Sequence, residues 1–510
     1  MKNRNGKTAA VIDIGSSMLR MRIAQWTSGG MRDVENAEYP LHIGHETFTE
    51  GRISYESIKL MSSVLTRYRQ VMLEYGVERW RLVATTALRD AQNCAYVIDQ
   101  ILIRNGMRVE VLEDGEEKTL IYSEMLRHMS RHERFAVEDT LMGYIGSGTF
   151  GMALCRRGVI VKSLNMRVGA YKLFDMLGGE QGISLFEEYM DELRGTLEMH
   201  ADGGGFDNLI VTGKEIELVC ALCGVKRAKD SYSAERRTLS DFYLTLEDQA
   251  PAELARRYAL SERQASTIAP AMAIYRMLAH FSRADRVIVP SLNYWDTVLY
   301  GMLRPKKGSA ERQLYPHTIA SVRHLAARFG CEIGHGEGVR EYCMSLFDAL
   351  RDYHGLTAHD RLLLEGAALL HECGNYVNIK NHNLNSYHLI KYNYIIGLDE
   401  DETGLIGCVA RYHNYDVPME SDGVYRELGE RDKLRVSKLC AMLRLCDSLD
   451  KSHRGKFASV SMEVTEDTVT VRGTSAADVR LERWAFEENA LFFEEVFGVK
   501  AVFEFVSSIR

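Results

Sequence analysis

Two stretches of this 510-residue chain share one form: an apolar strand breaks into a Gly/Ser turn, and a second strand follows at once. The first reads Ala-Val-Ile-Asp-Ile-Gly-Ser-Ser over residues 10 to 17 and runs on through 18 to 26. The second reads Gly-Tyr-Ile-Gly-Ser-Gly-Thr over 143 to 149 and runs on through 150 to 156. A strand that stops on glycine and serine leaves backbone N–H groups at the turn, and such groups converge on anions, phosphate above all. Two such turns in one chain constrain the fold to two strand-bearing halves facing each other across a cleft, each giving one loop to a phosphate clamp. The halves are not equivalent. Asp13 stands two residues before the first glycine, and Tyr144 stands at the matching place in the second.

The surrounding pattern supports two α/β halves. In the first, strands at 9–15 and 18–26 lead to a helix predicted from Ser54, where Ile58, Met61, Leu65, Tyr68 and Met72 recur at helical spacing. A strand at 81–85 ends on Thr85 and Thr86. Another begins at Val109, stops at Gly115 and opens a helix with Glu116 and Glu117 in its first turn. Acids there suit the helix dipole, so capping competes with any catalytic role. The pattern restarts near Thr140 with strands at 140–146, 149–155 and 158–164, followed by strands at 208–212 and 286–290. Beyond Gln313 long amphipathic helices take over until a strand pair at 458–464 and 468–472. Boundaries near 135, 307 and 456 therefore divide the chain into two α/β halves (1–135 and 136–307), an all-α unit (308–456) and a small α+β tail (457–510).

Composition narrows the function classes. The chain is 46% hydrophobic and 26% charged, as a globular protein is, and its formal charge of −8 argues against general nucleic-acid binding. An anionic ligand must be gripped locally. The first residues pass into a strand without an apolar signal segment, and no apolar run approaches the ~18 residues that a membrane span needs. A cytoplasmic protein is expected. The ten cysteines are scattered, and Cys220 and Cys223 lack a second pair to complete a zinc site, so buried free thiols are expected.

Several further segments carry a resemblance. Val-Ile-Asp-Ile-Gly-Ser-Ser-Met-Leu-Arg (11–20), Ala-Thr-Thr-Ala-Leu-Arg-Asp-Ala-Gln-Asn (84–93), Gly-Glu-Glu-Lys-Thr-Leu-Ile-Tyr (115–122) and Val-Gly-Ala-Tyr-Lys-Leu (168–173), in this order, resemble the exopolyphosphatase and guanosine pentaphosphate phosphatase (Ppx/GppA) family. Ala-Ala-Leu-Leu-His-Glu-Cys-Gly (367–374), Ala-Arg-Tyr-His (410–413) and Leu-Arg-Leu-Cys-Asp-Ser-Leu-Asp (443–450) are similar to that family's HD-type helical domain. The resemblance implies an actin-like ATPase and sugar-kinase (ribonuclease H-like) fold for the two halves. It implies a hydrolase that releases terminal phosphate from inorganic polyphosphate, with guanosine pentaphosphate or tetraphosphate as further ligands and Mg²⁺ as cofactor. A homodimer is compatible with it.

The site residues follow from the same resemblance. Glu117 matches the glutamate that activates water, with Glu116 its adjacent competitor, and Asp13 matches a catalytic acid that would also hold metal. Gly15, Ser16 and Ser17 from the first loop, and Gly146, Ser147, Gly148 and Thr149 from the second, would donate to phosphate. Arg89 and Lys214 would add cations. Tyr144 and Gly151 stand where the family's second loop carries an aspartate and a glutamate. That departure supports an alternative, a catalytically weakened or inactive regulatory protein that binds polyphosphate or an alarmone. In the helical domain, His335, His371 and Asp447 match metal-ligand positions, with Glu372 in place of the paired aspartate; His382 and His413 line or pack nearby, and structural scaffolding competes with metal binding there.

Overall fold

A computed structural model describes residues 7–28, 30–176, 183–198, 205–246, 249–292, 294–303, 309–414 and 417–507. The chain forms two compact units, 1–314 and 315–510. The boundary expected near 307 falls outside the described residues.

The first unit holds two sheets. Strands β1 (Thr8–Ile14), β2 (Met18–Thr27), β3 (Gly30–Pro40), β4 (Arg79–Ala84) and β5 (Val109–Val111) form one in the order β3-β2-β1-β4-β5. The first three run antiparallel, and β4 and β5 add in parallel. Strands β6 (Thr140–Ile145), β7 (Phe150–Arg156), β8 (Val159–Met166), β9 (Asn208–Thr212), β10 (Arg227–Ala228), β11 (Ser231–Glu235) and β12 (Arg286–Pro290) form the other, in the order β10-β11-β12-β9-β6-β7-β8. Its run β8-β7-β6-β9-β12 repeats the first sheet strand for strand, antiparallel at β6, β7 and β8 and parallel at β9 and β12. This is the duplicated α/β arrangement of the actin-like fold expected from the sequence. Its consequence for chemistry is direct: the β1–β2 turn and the β6–β7 turn occupy equivalent places in the two sheets.

Burial explains why these segments take these forms. Strand β1 is central, so Ala9, Ala10, Val11, Ile12 and Ile14 are all buried and the strand reads as a continuous apolar run. The helix Tyr55–Glu74 starts where Ser54 caps it, the Ser54 hydroxyl accepting from the Ser57 N–H at 3.2 Å, and its Ile58, Met61, Leu65, Tyr68 and Met72 face the core. The strand expected to run from Val109 to Gly115 is shorter. It ends at Val111, because a capping box between Glu113 and Glu116 starts the helix Asp114–Met129 ahead of that glycine.

In the second unit the helices Ile333–Ala349, Ala358–Leu370, Glu400–Arg411 and Glu430–Asp447 enclose a core that includes Val339, Leu363, Leu364, Val409 and Leu443. The expected strand pair is present as β13 (Ser459–Val464) and β14 (Thr468–Ser475). A helix, Arg480–Phe497, then returns the chain to β15 (Lys500–Ser507), which pairs in parallel with β14. Val469, Val471, Phe486 and Phe493 of this tail are buried in the same core as the helices. Among the described residues no helix is long and apolar enough to cross a membrane.

Candidate active site

The two Gly/Ser turns are built alike. In the first the Gly15 N–H donates to the Met18 carbonyl at 3.0 Å, and in the second the Gly146 N–H donates to the Thr149 carbonyl at 2.9 Å. Each four-residue loop thus closes on its own glycine. Gly15 and Gly146 therefore line the site with their N–H groups already engaged, and the N–H groups of Ser16, Ser17, Ser147 and Gly148 have no backbone acceptor among the described residues. The second loop is braced from behind, where Ala170, Tyr171 and Lys172 donate to the carbonyls of Gly146 and Ser147. Gly169 makes that approach feasible: a Cβ there would lie 2.4 Å from the Gly146 carbonyl oxygen and 2.5 Å from the Thr149 nitrogen.

Both loops border one cavity of about 600 Å³. Asp13 and Glu117 line it together with Arg20, Tyr144, Lys214, Glu215, Arg263 and Tyr294. The Asp13 carboxylate accepts from the Tyr294 hydroxyl through Oδ1 and faces Arg20 Nη1 at 3.7 Å through Oδ2. Burial pushes the Asp13 carboxyl up to about 6, against the opposing pull of Arg20, Tyr294 and Lys214. Burial likewise brings the Lys214 ammonium down to about 8, helped by the Arg20 charge.

The adjacent acids Glu116 and Glu117 part company. Glu116 accepts the Glu113 N–H at 3.0 Å and completes the helix cap, whereas Glu117 is buried and faces the cavity. Its Oε2 has no hydrogen-bond partner among the described residues, the nearest cation being Arg89 Nη1 at 3.7 Å. Arg89 itself does not line the cavity. Its guanidinium donates to the Leu112 carbonyl and, at 3.2 Å, to Thr86 Oγ1, so its charge braces Asp114 and Glu117 from behind. Thr149 is held by Lys118, a buried ammonium that donates to Thr149 Oγ1 at 2.5 Å, sits 3.5 Å from Asp114 and lies over the Tyr144 ring at 4.5 Å.

Over residues 22–304 the chain matches the Ppx/GppA phosphatase family, and over 319–494 it matches Ppx/GppA phosphatase, domain III. The chain belongs to the Ppx/GppA phosphatase family. It is similar to the guanosine-5'-triphosphate,3'-diphosphate pyrophosphatase of Photobacterium profundum, 19% identical over 478 residues that cover 91% of this chain and 90% of that one. It is also similar to exopolyphosphatase 2 of Mycobacterium tuberculosis, 27% identical over 176 residues, 32% of this chain and 53% of that one. Among solved structures it resembles the Aquifex aeolicus Ppx/GppA family member, with a TM-score of 0.51 at 19% identity, covering 60% of this chain and 100% of that one. An exopolyphosphatase from Cytophaga hutchinsonii gives a TM-score of 0.52 at 19% identity, covering 58% of this chain and 98% of the other. At such identities the likeness carries the fold.

Within the Ppx/GppA fold this chain's second loop holds no acid. The Tyr144 phenol takes the first position and reaches Glu117 Oε1 at 3.4 Å; burial and the neighbouring Glu117 charge keep it neutral, its pKa well above the usual range. At Gly151 an added Cβ would lie 2.7 Å from the Tyr122 hydroxyl and 2.8 Å from Asn165 Oδ1, so a side chain there would have to displace the ends of those two side chains. In the C-terminal unit His335, His371 and Asp447 converge, whereas Glu372 lies 3.6 Å from His453 Nε2. Sequence reasoning missed Arg20, Lys118, Glu215, Arg263 and Tyr294. Glu215 adjoins Lys214 and Lys118 adjoins Glu117, so both were near the signal; Arg263 and Tyr294 carried none, since each lies on a helix remote in sequence from both loops.

Proposed function

We propose that this Ppx/GppA phosphatase hydrolyses the terminal phosphoanhydride of inorganic polyphosphate, with guanosine pentaphosphate as a second substrate. The observation that carries the reading is the pair of loops built alike on the rim of one cavity that also holds Arg20, Lys214 and the buried Glu117. The names of the similar proteins, an exopolyphosphatase and a guanosine-5'-triphosphate,3'-diphosphate pyrophosphatase, point to the same substrates.

In this reading the N–H groups of Ser16, Ser17, Ser147 and Gly148 hold the terminal phosphoryl oxygens, while Arg20 and Lys214 offset the charge of the departing chain. Glu117 Oε2 orients a water in line and takes its proton as the new P–O bond forms and the bridging P–O bond breaks. Arg89, behind Glu117, fixes that carboxylate. Mg²⁺ takes oxygen ligands and needs only one or two protein carboxylates beside substrate phosphates, a demand that Asp13 meets while Glu117 Oε2 stays free for the water. Bound there, it would neutralise phosphoryl oxygens.

Phosphate release from long-chain polyphosphate and from guanosine pentaphosphate, with Mg²⁺ and with chelator, tests the proposal. Glu117→Gln should lower release by about 100-fold or more. Wild-type protein that releases no more phosphate than Glu117→Gln from either substrate would overturn it.

A further inference from the structure

The first loop carries an acid and the second carries none; the charge of the second comes from beneath it. Lys118 stands in the helix Asp114–Met129, one residue after Glu117, and is wholly buried. Burying an ammonium is costly unless it is paired and hydrogen-bonded. Its hydrogen bond goes to Thr149 Oγ1 at 2.5 Å, the one acceptor it has among the described residues. The Asp114 carboxylate at 3.5 Å and the face of the Tyr144 ring at 4.5 Å offset its charge. Asp114 is shared, since Arg89 lies 3.6 Å from the same Oδ1, and that oxygen accepts a hydrogen bond from neither cation.

The direction of the Lys118–Thr149 bond is set by the groups themselves. An ammonium has three donors and no acceptor, so Thr149 Oγ1 accepts, and its own O–H must point elsewhere. Among the described residues nothing else engages that hydroxyl, and Thr149 lines the cavity beside Ser147 and Gly148. Thr149 thus offers the cavity a donor whose oxygen is polarised by the ammonium behind it. A hydroxyl donating to a phosphate oxygen makes a hydrogen bond of the short, charge-assisted kind.

Tyr144 suits this arrangement. Its ring lies across Gly146, where an added Cβ would come within 2.9 Å of Cε1 and Cζ, so the ring reaches from the second loop toward the helix that carries Glu117 and Lys118. One face meets the ammonium, and the hydroxyl reaches Glu117 Oε1 at 3.4 Å. A carboxylate at this position would compete with Thr149 for the ammonium. A ring face attracts the charge and leaves its hydrogen bond to Thr149.

We propose that Lys118 is a positioning residue for phosphate: its buried ammonium, capped by the Tyr144 ring, turns the Thr149 hydroxyl into a fixed donor and gives the second loop the positive charge to hold a phosphoryl group without a metal ion. The proposal rests on the phosphate-binding part of the function above and needs no turnover. The two loops then work by different means, the first through Asp13 and Mg²⁺, the second through a lysine.

Titration calorimetry of the full-length chain with inorganic phosphate in the presence of chelator tests it, since that ligand cannot be turned over. The wild type should bind. Lys118→Met and Thr149→Val should each weaken binding about tenfold or more, whereas Thr149→Ser, which keeps the hydroxyl, and Tyr144→Phe, which keeps the ring over the ammonium, should stay within about threefold. The two Thr149 variants separate a donor from mere packing, and they decide the matter if Lys118→Met does not fold. No phosphate binding by the wild type in chelator, wild-type affinity in folded Lys118→Met, or Thr149→Val binding as tightly as Thr149→Ser would each overturn the proposal. Phosphate release from polyphosphate with Mg²⁺ is measured apart: metal-free binding without turnover overturns the hydrolase reading alone, and turnover without metal-free binding overturns this proposal alone.

Discussion

Replacing Asp13 by asparagine should make the first unit more stable at pH 8 than at pH 4.5, relative to wild type. The Asp13 carboxyl is buried and raised from 3.8 to about 6, so the folded state resists its ionisation. Between those values the unfolded chain has lost the Asp13 proton while the folded chain keeps it, and stability falls as pH rises. Below pH 3.8 the penalty vanishes, and above about 6 it is complete. A tenfold change in proton affinity is about 1.4 kcal/mol, so the rise corresponds to about 3 kcal/mol. The side chain is only 5% exposed, which leaves little solvent to screen it. Asparagine has no charge to bury, so the Asp13→Asn minus wild-type difference should grow by up to about 3 kcal/mol from pH 4 to pH 7. Urea unfolding followed by tryptophan fluorescence reads it in a Trp484→Phe background, where Trp26, Trp80 and Trp295 all belong to the first unit and the exposed Trp484 no longer reports on the second. Phosphate and divalent ions are left out, since either would stabilise the loops by binding. A difference that is the same at pH 4.5 and pH 8 would refute the reasoning.

Two smaller predictions bear on the loops. Gly169→Ala should drive its new methyl into the backbone of the second loop, which its Cβ would approach at 2.4 to 2.5 Å; kcat/KM for phosphate release should fall about 100-fold, and near wild-type turnover would sink the idea that this loop holds phosphate. Glu116→Gln should stay within about threefold of wild-type turnover and cost at most about 1 kcal/mol of thermal stability, because Glu116 serves the helix cap; a loss as large as that of Glu117→Gln would reverse the assignment of the two acids.

The sequence determined the pair of loops, the α/β character of both halves and the helical C-terminal part, because each rests on local chemistry. Apolar runs make central strands, glycine and serine make the turns, and residues spaced as Ile58, Met61 and Leu65 are make a helix face wherever the rest of the chain goes. Elements whose stability comes from their neighbours escaped it. Strand β3 is an outer strand with many exposed polar residues, and β15 exists because β14 offers it a parallel edge.

At the site, only the tertiary structure decided which side chain faces the cavity. One residue along a helix turns a side chain by about 100°, and packing alone set Glu117 into the cavity and Glu116 onto the cap. Arg89, a phosphate ligand by resemblance, donates to the Leu112 carbonyl, a contact that no local pattern shows. Tyr294 meets Asp13 across 281 residues of sequence, and His335, His371 and Asp447 converge only because three helices bring them together. Short-range pattern fixes what an element is; which of its faces meets another element is a long-range packing outcome, and the chemistry of both clusters depends on it.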